Sequence, residues 1–117
     1  KLEVGKAIVL EGIVFETGKS TIKTESEPIL NGVLQTLSEN PEVFVMITGH
    51  TDNVGKRTSN MKLSQARADA VRAWLVAKGI ESKRMSTMGY GPDRPIVPND
   101  TDENKQKNRR IEFERVK

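Results

Sequence analysis

Residues 48–68, TGHTDNVGKRTSNMKLSQARA, decide the fold. They begin where the apolar run Val43-Phe44-Val45-Met46-Ile47 gives way to Thr48 and Gly49. A short continuous apolar run marks a strand covered on both faces, here ended by Thr48 and Gly49. A polar loop with Asp52, Asn53 and Gly55 follows, and then a long amphipathic helix. Its apolar stripe is Leu63, Ala66, Ala70, Val71, Trp74 and Leu75, and Gly79 closes it as a C-terminal cap. Ser64 is the candidate N-cap, with Thr58 as an earlier starting point.

Outward from this unit the pattern alternates. Residues 7–15 read as a strand, with Gly12 at a bulge. From about Glu25 the period turns helical, with Ile29, Leu30, Val33, Leu34 and Leu37 on one face. Pro28 suits the first turn, and Asn40 with Pro41 stops the helix. Residues 84–89 form a short third strand, and Gly89, Gly91, Pro92, Pro95 and Pro98 make a rigid, irregular connection. Residues 101–107 suggest one helical turn, and residues 111–116 alternate as a half-exposed last strand. The order β-α-β-α-β-β predicts an α/β (α+β) two-layer sandwich, with helices on one face of a four-stranded mixed sheet.

At 117 residues the chain is one domain, read as a linker remnant over residues 1–6 and a domain over 7–117. It starts at Lys1 without methionine or a leader pattern, so it is expected to be an excised or mature piece whose anchor lies outside it. The absence of cysteine excludes disulfides and thiol chemistry. The net charge of +3 admits a polyanion partner, but no block of five basic residues is present.

The chemistry points to binding. Asp52 follows a buried strand, at the sheet end where open α/β sheets hold ligands. Taken alone it reads first as a turn or cap aspartate. Arg67 sits at the border of the helix stripe, where its stem packs and its guanidinium suits a carboxylate. The bland alternative is an ion pair within the chain, to Asp52 itself, into which a zwitterion would insert. His50 is the sole histidine, so with no cysteine a zinc site lacks ligands, and a pocket-lining or structural role is expected. Gly89-Tyr90-Gly91 has no phosphate-loop spacing; its glycines read as turn formers. Of Arg109 and Arg110, which open the last strand, only one faces the pocket side.

Taken together, TGHTD, Asn60 with LSQARA, Gly89-Tyr90-Gly91 with Pro95, and Asn108-Arg109-Arg110 stand in the order of one family. The chain resembles the OmpA-like peptidoglycan-binding domain, also found in peptidoglycan-associated lipoproteins and flagellar stator B proteins. The match runs from about Val9 to Val116. Ser59, Lys105 and Glu16 depart from the commoner family residues at their positions.

The resemblance implies a periplasmic, non-catalytic domain that grips the peptide stem of peptidoglycan and tethers an outer-membrane or envelope protein to the wall. By this resemblance Asp52 binds the ammonium of diaminopimelate and Arg67 its carboxylate. Thr51, Asn60 and Leu63 support the same pocket, and Arg110 approaches the peptide. No cofactor, metal or catalytic residue is implied. The alternative is a small basic nucleic-acid binder, weakened by the scarcity of aromatic residues and the dispersed positive charge. A wall hydrolase lacks a clear pair of catalytic carboxylates, a thiol or a metal set.

Overall fold

The computed structural model describes residues 4–117; residues 1–3, half of the expected linker, lie outside the described residues. The elements are β1 (Ala7–Val9), α1 (Glu27–Glu39), β2 (Val45–His50), α2 (Arg57–Ala77), β3 (Met85–Gly91), α3 (Asp102–Asn108) and β4 (Arg110–Arg115). The sheet order is β1-β4-β2-β3. β2 runs parallel to β3 and antiparallel to β4, which is antiparallel to β1. This is the four-stranded mixed sheet that the residue pattern predicts. The helical turn expected over 101–107 is a full helix, α3, whose first N–H groups are capped by Thr101 through Asn104 N (3.0 Å).

Alternation sorts the sheet residues between two faces. Val45 and Ile47 of β2 and Ile111 and Phe113 of β4 join Leu30 and Leu37 of α1 and Ala68, Val71 and Leu75 of α2 in one buried cluster. Thr48, His50 and Glu112 take the opposite parity and the opposite face.

Several boundaries differ from the sequence expectation, each for a tertiary reason. The strand expected over 7–15 stops at Val9. Beyond it the backbone of Val14 is satisfied by a side chain: its N–H donates to Ser26 Oγ (2.6 Å), whose hydroxyl donates to Val14 O (3.0 Å). Phe15 then makes an isolated bridge to Ile22, and Gly12 lies in a turn at φ +92°, not at a bulge.

β2 is not ended by Thr48 and Gly49 but continues to His50. Gly49 belongs in the strand because the Ser64 carbonyl of α2 packs directly on its Cα. Gly89 on β3 does the same against the Gln65 backbone and the Ser64 hydroxyl. It is therefore a close-packing residue and not a turn former, whereas Gly91 does need its positive φ of +54°.

This close approach also explains two corrections in α2. Ser64 caps nothing: it is fully buried inside the helix, its hydroxyl donating to Met61 O and accepting from Gly91 N (both 2.9 Å). The buried line is Ser64, Ala68, Val71 and Leu75, while Leu63, Ala66, Ala70 and Trp74 are half-buried at its edge. The line opens with the small Ser64 because the helix there lies on two glycines, and Val71 and Leu75 continue it into the core.

Two buried polar side chains fasten the connections. Arg84 donates to Val43 O (3.0 Å), Leu37 O and Asn40 O (both 2.9 Å), so a cation closes the C-terminal end of α1. Asn108 is fully buried; it accepts from Ile96 N (2.8 Å) and Val97 N (3.2 Å) and donates to Val97 O and Asn99 Oδ1. Asn108→Ala is expected to lower stability by about 2 kcal/mol, since buried backbone groups lose their partners. A denaturant midpoint equal to wild type would contradict this.

Candidate functional site

The carboxyl end of β2, the start of α2, the segment around residues 13–18 and the start of β4 enclose a cavity of about 650 Å³. Asp52, Arg67, Thr51, Asn60, Leu63 and Arg110 all line it. Every residue expected at the site from the sequence is thus brought to one place.

Asp52 is 6% exposed. One carboxylate oxygen accepts from Val54 N (3.0 Å), which shapes the loop, and the other accepts from Arg109 Nη1. Thr51 ties the loop to the sheet, its N–H donating to Gly91 O (2.9 Å) and its hydroxyl to Asp52 O (2.8 Å). Asn60 Nδ2 donates to Val54 O (2.8 Å), fastening the far side of the loop to the first turn of α2. Turn aspartate and cavity-facing carboxylate therefore coexist in one residue.

Arg67 is half-buried and does not pair with Asp52. Its Nε donates to Lys19 O (2.9 Å), Nη2 reaches Glu16 O (3.4 Å), and the guanidinium lies 4.8 Å from the centre of the Phe15 ring. The ion pair expected between Asp52 and Arg67 is replaced by Asp52 with Arg109. Carbonyl oxygens and an aromatic face hold Arg67 against the 15–19 segment, leaving Asp52 to a cation from β4's entrance. Burial, and next the neighbouring Arg109 charge, lower the Arg67 pKa from its usual value.

Arg109 and Arg110 divide their tasks. Arg109 reaches Asp52 and also donates to Gln106 Oε1 (2.7 Å). The Arg110 guanidinium, although the residue lines the cavity, donates to Glu112 Oε2 (2.5 Å), Asn108 O (3.0 Å) and Arg94 O (2.8 Å). The sequence expectation that only one of the two faces the pocket is not met: both line the cavity, and Arg109, which the resemblance did not assign to the site, is the one that meets Asp52. Sequence reasoning also missed Gln106 and the 13–18 wall, which the expected long first strand concealed.

His50 is buried at the cavity's edge. Its Nε2 shares a hydrogen bond with Thr48 Oγ1 (2.9 Å) and its ring stacks on Tyr90 with centroids 5.6 Å apart. Its Nδ1 has no hydrogen-bond partner among the described residues. Burial and the Arg110 charge lower its pKa to about 4, with Arg94 adding to the effect and Glu112 opposing it. A folded pKa below the unfolded value near 6.5 means the unfolded chain binds more protons between those two values. The His50 contribution to stability is therefore full above about pH 6.5 and is lost as pH drops toward 4, up to about 3 kcal/mol in all. Melting temperatures from pH 7 to 4 should show this decline, and His50→Gln should flatten it. An equal decline in His50→Gln would assign the loss to other groups.

Among the described residues no three His, Cys, Asp or Glu side chains come together in a metal-binding group, and no helix is long and apolar enough to cross a membrane.

Comparison with known proteins places this fold among relatives. The probable lipoprotein YiaD of Escherichia coli is 40% identical over 101 residues, covering 86% of this chain and 46% of that protein. The peptidoglycan-binding protein ArfA of Mycobacterium bovis is 42% identical over 96 residues, covering 82% of this chain and 29% of that protein. The chain thus spans about half or less of these curated relatives. Among solved structures, the peptidoglycan-associated lipoprotein from Burkholderia pseudomallei superposes with a TM-score of 0.81 at 25% identity, covering 88% of this chain and 87% of that one. The OmpA family profile matches residues 14–109, from the cavity wall to the arginine that meets Asp52. The chain belongs to the OmpA family.

Proposed function

We propose that this domain binds peptidoglycan without covalent chemistry and tethers a cell-envelope protein to the wall from the periplasmic side. The ligand is the diamino acid of the stem peptide, diaminopimelate: Asp52 takes its ammonium and Arg67 its carboxylate. Thr51 and Asn60 hold the Asp52 loop, and Leu63 supplies apolar wall. Arg110 braces the start of β4 through Glu112 and two carbonyls and adds positive potential to the cavity.

The observation that carries this reading is the shared cavity. An acid and a base of opposite elements line one space of about 650 Å³, each partly desolvated and neither paired with the other. Such a space suits a guest carrying both charges, since desolvated charges reward only a complementary partner. A relative named as peptidoglycan-binding and a solved peptidoglycan-associated lipoprotein support the choice of guest.

Co-sedimentation of the purified domain with isolated sacculi tests it. Retention that is saturable and competed by free diaminopimelate is expected. Retention that vanishes with salt in a steep power law, as for a polyphosphate partner, would contradict it.

A further inference from the structure

We infer that the cavity selects a stem peptide ending at its diamino acid, because Arg67 and Arg109 together are built to receive two free carboxylates beside one ammonium. The inference rests on the stem-peptide reading above and adds to it which stems are preferred.

The observation is a charge imbalance. Lys23, Arg67, Arg109 and Arg110 line the cavity, and Asp52 is the single acid among its lining residues. Arg110 is answered by Glu112, and Arg109 by Asp52. Among the described residues Arg67 has two carbonyl oxygens and an aromatic face as partners, and no carboxylate. Both guanidiniums line this one cavity, and the Arg109 charge joins burial in lowering the Arg67 pKa. Of the three arginines, Arg67 is therefore the one that still calls for an anion.

A ligand ammonium at Asp52 sharpens that need. Asp52 already accepts from Val54 N and Arg109, so an incoming ammonium shares the carboxylate with Arg109 and leaves the Arg109 charge less fully answered. The Arg109 side chain is 39% exposed against 9% for Asp52, so it is the arginine that has room to swing. With an ammonium at Asp52, Arg67 and Arg109 line the cavity with one ligand carboxylate to answer both. A second carboxylate gives each of the three arginines and the ammonium an answering anion, through the planar fork that suits carboxylates.

In a stem peptide, one amine of the diamino acid is spent in the chain and the other is free. One of its carboxylates is free in every stem; the other is free only where no D-alanine follows. A stem that stops at the diamino acid therefore presents the complete set. The preceding glutamate offers another carboxylate source, which the test separates.

Calorimetric titration of the intact domain with four synthetic peptides decides the matter: the tripeptide ending in diaminopimelate, its C-terminal carboxamide, its D-alanine extension, and the tripeptide amidated at glutamate. The first and the last are expected to bind alike, and the other two at least tenfold more weakly. Arg109→Gln, checked by its melting curve, should bind all four within about twofold of one another. Should that variant not fold, the four wild-type titrations decide alone. Equal binding of the free acid and its carboxamide overturns the inference while leaving the stem-peptide reading intact. So does a loss on glutamate amidation alone. Binding by none of the four overturns both.

Discussion

Gly49→Ala and Gly89→Ala are each expected to lower the stability of the domain by about 3 kcal/mol, at the upper end of what overpacking costs. On Gly49 a Cβ would overlap the Ser64 carbonyl, and on Gly89 the Gln65 amide nitrogen. Both obstacles are helix backbone and cannot rotate away. The whole of α2 would have to lift from β2 and β3, losing contacts of Val71 and Leu75 with the core. For a domain of this size the loss corresponds to a fall in melting temperature of roughly 10 °C or more. Gly32→Ala gives the contrast: Gly32 lies exposed in α1 with nothing near an added Cβ, and alanine there should stabilise by roughly 0.5–1 kcal/mol. Melting of Gly49→Ala within about 2 °C of wild type would show that the helix does not rest on the strand as described.

Arg67→Ala and Asp52→Ala are expected to weaken binding of the proposed diamino-acid ligand by about thirtyfold each. Removing one partner from a partly desolvated charge pair costs roughly 2–5 kcal/mol, and an open cavity belongs near 2. At about 1.4 kcal/mol per decade that is about thirtyfold in Kd. The fold should survive both changes. Arg67 stands at the cavity, outside the buried seam of α2, and Asp52 sits in a loop that Thr51 and Asn60 also hold. Arg67→Ala also frees the 16–19 segment from its two carbonyl contacts, so part of its effect reflects a looser cavity wall. Arg67→Lys separates the two contributions, because lysine keeps the charge but not the planar fork. Binding to sacculi by Arg67→Ala at wild-type affinity would remove Arg67 from the site.

How far the residues alone disclosed this molecule depends on the range of the interaction concerned. The stop of α1 at Asn40, the cap at Gly79 and the alternation of Ile111 and Phe113 are local, and each is found where the pattern placed it. The two-layer mixed sheet followed from the order of those local elements. Long-range contacts were not readable. Ser64 resembles a cap in sequence because nothing nearby reveals that Gly91, on β3, donates to its hydroxyl. The shortened first strand depends on Ser26 reaching back to Val14.

The candidate site shows the same division. Asp52 and Arg67 stand out through their motifs, and both line the cavity. Their partners did not stand out. Arg109 lies 57 positions from Asp52 and Glu16 lies 51 from Arg67, separations over which sequence spacing carries no geometry. Arg84, which closes α1, was hidden for the same reason.

The central claim is that Asp52 and Arg67 hold one small zwitterion between them, and amide-resolved NMR titration with free diaminopimelate tests it most directly. Saturable shifts concentrated at residues 51–54, at Arg67 and at Arg109, and absent in Asp52→Ala, are the expected result. Shifts that saturate elsewhere on the surface while Asp52 and Arg67 stay unmoved would contradict it.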